Sequence, residues 1–99
     1  MGEIMGTDHL LARLRSAQGH LRAVVSMVTR TAPPEEVLPQ LWSVQAALSA
    51  AGERLILAQL RASSKAILSG PSADLRAAEA ERLNRLLLLA TQHSMKSRR

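Results

Sequence analysis

The chain has 99 residues, a net charge of +5, no cysteine, and Trp42 as its only Trp, Tyr or Phe. That length holds one domain, and an apolar fraction of 46% built mostly from Leu, Ala, Val and Ile favours helices over sheets. The missing thiols exclude disulfides, thiolate metal sites, dithiol redox chemistry and a cysteine nucleophile.

Residues 1–7 read as a disordered arm. They carry an acid and no apolar run, unlike a signal peptide. Gly6 stands where a myristoylation signal wants Ser or Thr. A single helical domain is expected over 8–92, with helices at about 9–30, 34–68 and 73–91. The first has Thr7 and Asp8 as candidate N-caps and a seam of Leu10, Leu14, Ala17, Leu21, Val24 and Val28, stepping by four and three. Gly19 weakens it locally and permits close backbone approach.

Pro33 and Pro34 followed by Glu35 and Glu36 mark a break and a new start, with acids complementing the exposed N–H groups. The second seam is Val37, Leu41, Val44, Leu48, Ala51, Leu55, Ala58 and Ala62. Trp42, Ala46, Ala47, Ile56 and Leu60 add apolar mass on other faces, so several neighbours are expected to bury this helix. Pro39 predicts a kink, or a helix that becomes regular only after it.

Ser69-Gly70-Pro71-Ser72 ends the second helix and caps the third, whose apolar positions are Leu75, Ala78, Leu83, Leu86, Leu87 and Ala90. Residues 93–99 form a basic tail; Lys96, Arg98 and Arg99 carry three of the five net charges. So much apolar surface on so short a chain implies self-association. The longest apolar run, Leu86 to Ala90, is far short of a membrane span, and a cytoplasmic protein with no membrane partner is expected.

Nothing supports catalysis. Glu35 and Glu36 are adjacent and cannot face each other, and Ser63 and Ser64 lack a histidine at helical spacing. His9, His20 and His93 are scattered outside any HxxxH or HExxH pattern, so neither an enzyme nor a metal or other cofactor is expected. Gly52 resembles the turn glycine of a helix-turn-helix, but the seam runs through it unbroken, which favours one continuous helix and a tight helix–helix contact.

The charge is segregated. From His9 to Pro34 there are four arginines and no acid, and from Arg54 to Leu68 three cations and no acid. Arg54, Arg61 and Lys65 recur at spacings of seven and four on one face, while Arg13 with His20 and Arg15 with Arg22 form two lines on the first helix. A merely soluble surface mixes signs. Unneutralised arginines on rigid helices suit phosphate, so Arg13, Arg15, His20, Arg22, Arg54, Arg61 and Lys65 outline a candidate polyanion-binding face on an oligomeric helical protein.

Arg13-Leu14, Gly19, Leu21 and Met27-Val28 resemble the opening helix of the copper-sensitive operon repressor family, with its R-L-x-x-x-x-G-x-[LIV] stretch and later M-[LIV]. Gln40-Leu41-Trp42-Ser43-Val44-Gln45-Ala46-Ala47-Leu48 is similar to its Q-[IL]-x-[AS]-V-x-x-A-L core. The resemblance covers about Leu10 to Leu68. It implies an all-α, three-helix protomer whose two long helices form an antiparallel four-helix-bundle dimer, and a dimer of dimers that represses transcription by binding double-stranded DNA through a basic helical surface, which makes the seven residues of the polyanion face the expected DNA contacts.

The family senses copper, nickel, formaldehyde or sulfur species through a cysteine six residues before the Gln matched by Gln40, and that position is Pro34. Its H-[LI]-x-x-C motif is matched by Gln59-Leu60-Arg61-Ala62-Ser63. Proline, glutamine and serine are not useful ligands for a soft metal, and no thiol exists for formaldehyde or persulfide chemistry. The expected protein is a repressor on this scaffold that does not respond to copper. The alternatives are a helical partner of a metal-sensing paralogue, and a repressor answering some other ligand around Pro34, Gln59 and Ser63.

Overall fold

The computed structural model describes the backbone of residues 2–97 and the side chains of residues 8–96. The described chain is all-α, with α1 at Gly2–Thr29, α2 at Pro34–Ser69 and α3 at Ala73–Ser97. α1 begins before His9, so Thr7 and Asp8 are interior helix positions and not caps. No proline interrupts the stretch from Gly2 to His9, and helix propagates where nothing stops it. α3 likewise runs past Thr91, with Lys96 in its last turn, where a cation complements the exposed carbonyls. Arg98 and Arg99 of the expected tail lie outside the described residues.

The break between α1 and α2 is built by the backbone. The N–H of Thr31 donates to the Val28 carbonyl at 3.0 Å and that of Ala32 to the Met27 carbonyl at 2.9 Å. This is the paired capping of a Schellman motif, which needs a left-handed residue, and Thr31 supplies it at φ 56°. The Pro33 carbonyl then accepts the N–H groups of Glu36 and Val37, making Pro33 the N-cap and placing Pro34 at the first helical position. Helix α2 passes through Pro39 without leaving helical conformation, against the expected irregular start.

The chain divides into two compact units, Met1–Arg54 and Leu55–Arg99. In the first, α1 and the opening half of α2 form an antiparallel hairpin whose buried residues are Ala17, Val24, Val44 and Ala51. Each helix thus buries positions seven apart, every second member of its seam. The intervening Leu14, Leu21 and Leu48 stay exposed along an open apolar groove that also takes in Leu11.

In the second unit the end of α2 pairs with α3. Of the seam expected to continue here, Leu55 and Ala58 are exposed and Ala62 is half-buried. The inner face is instead Ser63, fully buried, with Ile56, Gln59, Leu60, Ala66 and Ile67 half-buried beside it. The opposing face of α3 is Arg76, Glu79, Leu83, Leu86 and Ala90, all half-buried and spaced by three and four. The heptad register fails after Ala51 because this hairpin selects the α2 face that meets a partly polar strip of α3.

The α2–α3 turn is tight. A Cβ on Gly70 would lie 2.6 Å from the Ala66 carbonyl oxygen and 2.8 Å from Arg76 Cγ, and Arg76 Nη1 donates to the Gly70 carbonyl at 2.8 Å. Ser72 caps α3, its Oγ accepting the Leu75 N–H at 3.1 Å. A methyl group added at Gly19 or Gly52 would meet nothing within 4 Å, so the close approaches expected there are not made within the protomer. Helix α2 is continuous through Gly52, which excludes a helix-turn-helix at that point.

Candidate functional site

Arg13, Arg15 and Arg22 are exposed on α1, and Arg54 is exposed at the end of the first unit. Arg61 and Lys65, one turn apart, are exposed on α2 in the second unit. Among the described residues the ion pair is Arg82 with Glu79, so none of these six cations is neutralised by a neighbouring acid. The α1 cations do not make a single patch. Arg13 and Arg15 are two residues apart, about 200° around the helix, and Arg15 stands on the rim of the apolar groove.

His20 differs from the arginines. It is half-buried, with Nε2 2.8 Å from Gln40 Oε1. An amide oxygen only accepts, so the proton sits on Nε2 and the ring clasps α1 to α2. This pairing joins a candidate polyanion contact on α1 to Gln40, the first residue of the Gln40–Leu48 motif.

Gln59 and Ser63 are engaged inside the second unit. Ser63 Oγ donates to Glu79 Oε1 at 2.7 Å. The same carboxylate oxygen accepts from Arg82 Nη1 at 3.2 Å, and Arg82 Nη2 donates to Gln59 Oε1 at 2.7 Å. The four side chains form a polar chain, Ser63–Glu79–Arg82–Gln59, that spans α2 and α3. Every buried side-chain polar atom among the described residues has a partner. Pro34, by contrast, is exposed at the start of α2 in the first unit.

Glu79 and Arg82 were not singled out in the sequence. Their signal is faint: Glu79 falls in the three-and-four spacing of Arg76, Leu83, Leu86 and Ala90, but two polar members hide that face from an apolar pattern.

The sequence profile of the metal-sensitive transcriptional repressor family matches residues 7–89. The chain belongs to that family. No curated protein and no solved structure matches it significantly. Membership in the metal-sensitive repressors implies repression of transcription, with the DNA binding and oligomerisation that this entails. No helix of the described residues is long and apolar enough to cross a membrane.

The donor set does not fit the soft metals this family is known for. Serine hydroxyl, glutamine amide and proline offer neither thiolate nor imidazole. Ser63 and Gln59 have their oxygens already engaged by α3. No group of three or more His, Cys, Asp or Glu among the described residues is arranged to hold a metal ion.

Proposed function

We propose that the protein is a DNA-binding transcriptional repressor whose release from DNA is not triggered by copper, nickel, zinc or formaldehyde. The observation that carries this reading is the engagement of Gln59 and Ser63, at the family's sensing positions, by Glu79 and Arg82 of the same chain. With no cysteine anywhere in the sequence, neither Cu(I) nor formaldehyde meets the thiol through which this family senses them. The residues proposed to contact DNA are Arg13, Arg15, Arg54, Arg61 and Lys65, with Arg22 and His20 in support. Their favourable feature is the exposure of six cations without acid partners.

The protein acts as an antiparallel dimer that pairs into a tetramer. Leu14, Leu21 and Leu48, exposed along the first hairpin, supply the apolar surface for that association.

The test is an electrophoretic shift with DNA from upstream of its own gene, repeated across a salt series. Phosphate contacts predict log affinity falling with log salt by about 0.9 per phosphate neutralised. An Arg54→Ala, Arg61→Ala double variant should reduce that slope by about 2 for each protomer that contacts the duplex and weaken all sequences alike. An unaltered slope would put the DNA face elsewhere, and no shift at all would favour a partner protein.

A further inference from the structure

We propose that Ser63, Glu79, Arg82 and Gln59 are positioning residues that hold the Arg61–Lys65 stretch of α2 ready for DNA without any effector. The inference rests on the DNA-binding reading above and adds to it the device that orders the contact surface.

Residues 59–65 make about two turns of helix, and on it inward and outward positions alternate. Gln59 and Ser63 face α3 and are held by it, while Arg61 and Lys65 are exposed. Steps of two along a helix turn it by about 200°, so the clasped pair and the cationic pair occupy opposite sides of the same segment.

The clasp is stiff for two reasons. Ser63 is fully buried and its hydroxyl has one partner, the Glu79 carboxylate, so displacing α3 breaks a charge-assisted hydrogen bond formed away from water. Arg82, whose side chain is 45% exposed, holds Glu79 of its own helix with one guanidinium nitrogen and Gln59 of α2 with another, a second tie between the helices beside Ser63–Glu79. Gly70, too crowded to carry a Cβ, and Arg76 on its carbonyl close the hairpin at the turn. The arrangement supplies its own cation, the Arg82 guanidinium, between oxygens of two helices.

The test uses the full chain and two charge-conserving variants, Ser63→Ala combined with Arg82→Lys, and Arg82→Lys alone. Net charge stays at +5 in both, so a change in DNA affinity reports geometry and not total charge. Helix content and sedimentation check that the assembly survives. Should the double variant fail to fold, Arg82→Lys alone decides, because it leaves the Ser63–Glu79 bond in place.

Amide exchange over 59–65 and 76–83 should accelerate about tenfold, and affinity for the labelled upstream duplex should fall about tenfold, as expected for one or two lost charge-assisted hydrogen bonds. The salt slope should move toward that of an Arg61→Ala, Lys65→Ala variant, which a merely stabilising role would not produce. Faster exchange with unchanged affinity and slope overturns the proposal, as does unchanged exchange. If the Arg61→Ala, Lys65→Ala variant itself keeps the parent slope, the DNA reading is at fault and the proposal falls with it.

Discussion

Thr31 holds a left-handed backbone at φ 56°, a conformation that a β-branched side chain opposes. It persists because Thr31 and Ala32 must both donate back into the last turn of α1. Thr31→Gly keeps those bonds and removes the steric cost, so it should raise stability by about 1 kcal/mol, read as a higher unfolding midpoint at fixed protein concentration. A lower midpoint would contradict the cap. Gly70 predicts the reverse. A methyl group there overlaps the Ala66 carbonyl and the Arg76 side chain, so Gly70→Ala should cost about 1–3 kcal/mol. Equal stability of the two proteins would mean that the turn relaxes freely.

At the scale of elements, the second hairpin depends on one buried hydroxyl. Ser63→Ala removes a bond to a carboxylate without changing shape much, and should cost about 1–2 kcal/mol. Combined with Glu79→Ala, the losses should be less than additive, since the two changes delete the same bond. Strict additivity in a denaturation cycle would deny that Ser63 and Glu79 interact.

The same region marks the limit of what the sequence shows. The turns at Pro33–Pro34 and Gly70–Ser72 and the seam through Ala17, Val24, Val44 and Ala51 were legible, because each is fixed by local chemistry or by one repeating apolar spacing. The seam did not predict the second half of α2, where the buried face turns to Ser63 and leaves Leu55 exposed. An apolar pattern gives no reason to bury a serine opposite a glutamate. The exposed cations and the replaced sensing positions were readable residue by residue. Their engagement by Glu79 and Arg82 was not, since it depends on how two helices align across a turn.

For the whole molecule, few of the described apolar side chains are buried within the protomer. Ala17, Val24, Val44 and Ala51 are the buried hydrophobics among the described side chains, whereas Trp42 is 59% exposed and Leu68 85%. Burying one large apolar side chain is worth about 1.5–3 kcal/mol, so association of even a few is decisive. The protein should therefore sediment as an oligomer at micromolar concentration, and its melting temperature should rise with protein concentration. A folded monomer with a concentration-independent melt would refute this.

The proposed function uncouples DNA binding from the metals the family senses. The direct measurement is fluorescence anisotropy of a labelled duplex from upstream of the gene, titrated with the protein in the presence and absence of Cu(I). The two binding curves should superimpose, because no thiolate is present and Gln59 and Ser63 are already held by Arg82 and Glu79. Copper bound at sub-micromolar concentration and weakening the protein's hold on DNA would contradict it.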